Sequence, residues 1–141
     1  MKKILPVLLV ASLMFGNCSK SNDGQPAATP LLGTWNLQSE TIVTTRNGAP
    51  ATTNNVQITS PITVEYLANG VFIVKNHYPR RITTEGGTYT FANNVITLDY
   101  SNNGIMTSVL SVSELTDTRL VTVETRGDTN YSMVTTDTLT R

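Results

Sequence analysis

Thr63-Val-Glu-Tyr-Leu-Ala-Asn-Gly-Val-Phe-Ile-Val-Lys-Asn-His-Tyr78 decides how this chain folds. Two runs rich in β-branched and aromatic residues, Thr63 to Leu67 and Val71 to Tyr78, flank Ala68-Asn69-Gly70. Asn and Gly tolerate the positive φ that a tight reversal needs. Alternation at period two fits both runs, and no helical period does. The stretch predicts an antiparallel hairpin.

The same pattern repeats in both directions. Upstream, Thr34 to Thr45 alternates, with Trp35, Leu37 and Val43 on one face, and ends at Asn47-Gly48. Ala49 to Asn55 reads as a polar, Pro-containing loop, and Val56 to Thr59 as a short ninth strand before Ser60-Pro61. Downstream, Gly87 to Phe91 and Val95 to Tyr100 flank Ala92-Asn93-Asn94, and Gly86-Gly87 reads as a turn. Asn102-Asn103-Gly104 leads into Ile105 to Leu115, Thr116-Asp117 into Arg119 to Thr125, and Gly127-Asp128 into Asn130 to Thr140. Eight clear strands joined by short loops imply an antiparallel meander. They remove their edges most economically by closing into an all-β, eight-stranded up-and-down barrel. A two-sheet sandwich of the same strands is the alternative. Threonine, 24 of 141 residues, suits the solvated faces of such strands.

Ahead of the strands the chain changes character. Lys2 and Lys3 precede an apolar run, Ile4 to Phe15, too short to span a bilayer. Gly16 and Asn17 then lead to Cys18, the only cysteine, followed by Ser19-Lys20-Ser21-Asn22-Asp23-Gly24. This stretch resembles a bacterial lipoprotein signal peptide. The resemblance implies a signal at 1–17, lipidation of Cys18, a flexible linker over 18–30 and a domain at 31–141. It also implies attachment to the membrane through the lipid. Ser19 after the cysteine resembles sorting to the Gram-negative outer membrane, on its periplasmic or surface face. Lipidation would also remove the liability of a solitary thiol in an exported protein. Removing Lys2 and Lys3 leaves eight basic residues against ten acidic ones. That balance gives no footprint for nucleic acid or anionic lipid.

Leu32-Gly33-Thr34-Trp35-Asn36-Leu37 resembles the G-x-W signature of lipocalins. The order of the following motifs is similar to the small lipocalin-like lipoproteins of Gram-negative bacteria: Tyr66 to Phe72, Gly87 to Phe91 with Val95 to Leu98, Glu114 to Val121, and the terminal Thr138 to Arg141. The resemblance implies that Gly33 and Trp35 mark the closed end of the barrel. It also implies that an arginine, Arg141 or else Arg119, covers the tryptophan ring through a cation–π contact.

The function the resemblance implies is non-covalent capture of a small apolar ligand, with Tyr66, Phe72, Tyr89, Phe91, Leu98, Tyr100, Met106 and Met133 as candidate lining. Val74, Ile96, Leu110 and Val121 are further inward candidates. His77, Arg80 and Arg81 form the densest polar group, suited to gripping an anionic group at the barrel mouth. The alternative is a surface interaction module whose barrel is filled by its own side chains, with a protein partner the sequence does not identify. His77 is the only histidine and Cys18 is committed to the anchor, so no metal site, cofactor or catalytic constellation is expected. Asp137-Thr138-Leu139 resembles a bacterial O-glycosylation tripeptide.

Overall fold

A computed structural model describes residues 30–100 and 106–141. The signal stretch, Cys18, the linker as far as residue 29 and the turn at 101–105 lie outside the described residues. Strand β1 (Gly33–Arg46) is the seam on which the sheet closes. One of its edges pairs with β9 (Tyr131–Thr140), from Asn36 opposite Thr140 to Arg46 opposite Tyr131. Its other edge is shared. Gly33 to Asn36 pair with β3 (Ile62–Tyr66), and Glu40 to Thr44 pair with β2 (Thr52–Val56). From β3 the sheet runs in sequence order through β4 (Val71–Tyr78), β5 (Arg81–Ala92), β6 (Val95–Tyr100), β7 (Met106–Leu115) and β8 (Arg119–Gly127) to β9. Eight antiparallel strands therefore close a barrel, which excludes the open sandwich. β2 is added outside the ring.

The turns follow their residues. Asn93 and Asn94 both take positive φ, as a two-residue hairpin loop requires. Gly70, also at positive φ, completes the hairpin between β3 and β4, with the Leu67 N–H bonded to the Val71 carbonyl at 2.9 Å. These loops and the β7–β8 turn lie at one end of the barrel, the base. The ends of β1, β4, β6 and β8 lie at the other, the mouth.

Four expectations need correction. Thr52 to Asn55, read as loop, belong with Val56 to the ninth strand, Thr52–Val56, and Ile58 and Thr59 are not in a strand. Its Thr-Thr-Asn-Asn segment is exposed throughout, so no buried face imposed an alternating pattern. β5 begins at Arg81, so Pro79-Arg80 alone turns the chain between β4 and β5. Gly86-Gly87 is strand rather than turn. A Cβ on Gly87 would collide with the Asp99 carbonyl oxygen, and one on Gly86 would stand 2.6 Å from that of Phe72. Glycine here admits a close backbone approach. Finally, β1 carries a bulge at Gln38: Leu37 opposes Leu139, yet Ser39 opposes Thr138. The extra residue inverts the alternation beyond it, so Val43 does not share the face of Trp35 and Leu37.

The core gathers at the base. Leu31, Trp35, Phe72, Ile96 and Leu120 are fully buried, with Tyr66, Leu98 and Leu139 beside them. Leu31 arrives from the segment ahead of β1 and helps close the barrel from below.

Candidate functional site

At the base Trp35 and the arginine that covers it are both fully engaged. The indole Nε1 donates to the Leu31 carbonyl at 2.8 Å. The Arg141 guanidinium lies over the ring, 4.3 Å from the centroid. Nη1 donates to the Leu32 carbonyl at 2.6 Å, Nη2 to that of Pro30 at 2.9 Å, and Nε to that of Asp117. One side chain thus joins the entering segment, the β7–β8 turn and the last strand. Gly33, at φ +116°, leaves room for it, because a Cβ there would stand 3.2 Å from Nη1. Arg119, the other candidate, instead makes an exposed ion pair with Glu114 at 3.0 Å.

Above this floor the barrel is not filled. A cavity of about 230 Å³ lies between the core and the mouth. Leu37, Ile62, Val64, Val74, Leu98, Leu110 and Leu139 supply its apolar wall, and Tyr66 and Tyr100 its aromatic part. The remaining lining is polar: Glu40, Ser108, Thr122, Glu124, Arg126 and Asp137. Hollows of about 340 Å³ beside Gln38 and Pro61, and of about 400 Å³ beside Met106 and Thr125, are shallow grooves on the outer surface.

Strand geometry explains who faces inward. On β8 the alternation that buries Leu120 also turns Thr122, Glu124 and Arg126 into the cavity and puts Val121 on the other face. On β9 Asp137 shares the face of Leu139. On β1 the Gln38 bulge brings Glu40 inward, directly opposite Asp137. The Asp137 Oδ1 atom is buried and has no hydrogen-bond partner among the described residues. Burial, then Glu40, then Glu124 push its carboxyl up to about 6 from an ordinary 3.8. The Tyr66 hydroxyl is held above its usual range by burial first, then by Tyr100, Tyr89 and Asp137. Tyr100 is raised by burial, then by Glu124 and Glu85. Arg126 is committed locally, donating to Ser108 Oγ at 2.9 Å and pairing with Glu124 at 2.8 Å.

Of the eight lining residues expected from sequence, Tyr66, Leu98 and Tyr100 line this cavity. Phe72 is in the core of the base, and Tyr89 and Phe91 pack against it. Tyr89 meets Tyr66 edge to face at 5.0 Å, and its hydroxyl donates to the Leu67 carbonyl at 2.9 Å. Met106 is 49% exposed at the start of its strand, and Met133 lies beyond Asp137, outside the lining. His77, Arg80 and Arg81 sit at the tip of the β4–β5 hairpin and do not line the cavity, nor do they form an ion pair among the described residues. The Asp137-Thr138-Leu139 tripeptide is strand, with Asp137 inward and Leu139 in the core. Sequence reasoning missed Glu40, Thr122, Glu124, Arg126 and Asp137. The alternation running from Leu120 and from Leu139 was the signal that points to all but Glu40.

The family model for the lipocalin-like domain matches residues 31–122. No curated protein matches the chain. A lipocalin-like protein from Bacteroides uniformis superposes with a TM-score of 0.46 at 16% identity, over 75% of this chain and 96% of its own. An uncharacterized protein from Bacteroides eggerthii gives 0.47 at 13% identity, over 75% and 98%. Bovine odorant binding protein, in complex with a selenium-containing odorant, gives 0.44 at 12% identity, over 87% and 77%.

Proposed function

The chain belongs to the lipocalin-like domain family, and from that premise we propose that it is a lipid-anchored, non-enzymatic binding protein. It captures one small, largely apolar molecule without covalent chemistry. The observation that supports this reading is the cavity itself, about 230 Å³ between a sealed base and the mouth, with apolar walls and a few polar groups. An eight-stranded barrel is just wide enough either to be filled by side chains or to hold one small ligand. Small-molecule sites characteristically combine such walls with a few placed polar groups. Cys18 holds the anchor at the outer membrane, and residues 19–30, small, polar and Pro-containing, form the tether.

Native mass spectrometry of the full protein, extracted in mild detergent from the cells that make it, tests both parts. The expected result is a bound small molecule that leaves on unfolding. The denatured mass should then match a chain beginning at Cys18 and carrying acyl groups. An empty barrel that also takes up no apolar dye would overturn the binding reading in favour of a surface interaction module. An unmodified Cys18 would overturn the anchor.

A further inference from the structure

The inner wall is charged in one sense. Glu40 on β1, Glu124 on β8 and Asp137 on β9 bring three carboxyl groups to the cavity, against the single guanidinium of Arg126. That guanidinium is already held by Glu124 and Ser108. Glu40 and Asp137 are direct cross-strand partners, an arrangement in which like charges repel. Asp137 Oδ1 is buried without a partner. Tyr66 is 3% exposed and lines the same cavity. A buried carboxylate oxygen without a partner is costly. A positive hydrogen-bond donor placed against Asp137 would supply the missing partner and offset the repulsion between Asp137 and Glu40.

The spacing suits a molecule rather than a bare ion. Among the described residues no three acidic, thiol or imidazole groups converge closely enough to hold a metal. An apolar cavity of about 150 Å³ holds one benzene, so about 230 Å³ fits a body of roughly ten non-hydrogen atoms. We propose that the cavity takes a small amphiphile with a protonated amine head, its ammonium set against Asp137, Glu40 and Glu124 and its compact hydrocarbon or aromatic body against the apolar wall. This inference rests on the binding reading above. Fatty-acid-like anions of the same size are disfavoured, because the site offers them repulsion and one guanidinium already engaged.

The pH dependence follows from the groups that face Asp137: Glu40 from β1, Glu124 and Arg126 from β8, Tyr66 from β3 and Tyr100 from β6. The carboxyl titrates at about 6. Above that pH it offers a full charge to an ammonium, and below it the charge is lost. Amine affinity therefore rises with pH through about 6, and binding releases protons below it.

Three probes of one body separate the outcomes: phenylpropylamine, phenylpropanol and phenylpropionate, titrated into the full protein and read by calorimetry or ligand-observed NMR. At about pH 7.5 the amine is expected to bind at least tenfold more tightly than the alcohol, and the carboxylate more weakly than either. Lowering the pH to about 5 should erode the advantage of the amine. Asp137→Asn should bring the amine down to the level of the alcohol, with melting of the variant read alongside, and Glu40→Gln should reduce it partway. Equal binding of amine and alcohol, or preference for the carboxylate, would overturn the charge assignment while leaving a binding barrel in place. No binding by any of the three at millimolar concentration would overturn both.

Discussion

The base and the mouth of this barrel are built by opposite rules. At the base an indole N–H, a guanidinium and four backbone carbonyls satisfy one another around a fully buried Trp35. A few residues higher, Glu40 faces Asp137 across a strand pair, and a carboxylate oxygen is buried with no partner. Sequences that specify a fold keep their levels consistent and violate them mainly at functional sites. The contrast therefore divides a base built for stability from a mouth whose strain fits the proposed binding role. The largest expected effect follows from the base. Trp35→Ala should lower stability by about 3–5 kcal/mol, the usual cost of removing a buried large aromatic. For a domain of this size that is a fall in Tm of roughly 10 °C or more. Near-native melting of the variant, followed by circular dichroism, would break the division between the two ends.

The two ends also differed in how readably they were written. The base was legible because its residues are apolar, glycine or terminal, and sit at strand starts and turns where period-two patterns are strongest. Gly33, Trp35 and Arg141 are read there directly, whereas alternation gives Phe72 and Ile96 only an inward face, and Phe72, expected to line the cavity, lies in the core below it. At the mouth apolar character misleads, because it favours Met106 and Met133 over Thr122, Glu124 and Asp137, whose alternation with Leu120 and Leu139 points inward. Glu40 was beyond reach, because only the bulge at Gln38 turns it inward and nothing in Leu37-Gln38-Ser39 announces a bulge. β2 was equally hidden. A strand with no buried face has no pattern to betray it.

Removing the conflict at the mouth should have a smaller effect of opposite sign. In the folded protein the Asp137 carboxyl titrates at about 6, against an ordinary 3.8. Between those values the folded state holds a proton that the unfolded state has released. Stability contributed by this group therefore falls as pH rises from about 4 to about 6 and stays low above it. Asn cannot ionise, so Asp137→Asn should be more stable than the parent at pH 8 by about 1–2 kcal/mol, a figure discounted for the partial exposure of the side chain. The difference should vanish near pH 4. Urea midpoints for the two proteins across that range measure it. A variant no more stable at pH 8 would mean that the mouth carries no strain, and the contrast with the base would lose its energetic meaning.

The smallest expected effect sharpens the boundary of the base itself. Two arginines stand there, and both were candidates to cover Trp35. Arg141 reaches inward to the ring and to three carbonyls, whereas Arg119 reaches outward to Glu114, with both side chains about half exposed. An exposed pair of that kind gains little, because water screens it and two long side chains must be ordered to form it. The turn it flanks does not depend on the guanidinium. The Arg119 carbonyl accepts from the Thr116 N–H at 2.8 Å, and the Arg119 N–H donates to Thr116 Oγ1 at 3.0 Å, both of which survive truncation. Arg119→Ala should therefore cost no more than about 0.5 kcal/mol, and high salt should abolish even that difference. A loss of 2 kcal/mol or more would place Arg119 inside the cooperative base, and the sealed end would then extend to the outer face of β8 rather than stop at the ring of Trp35.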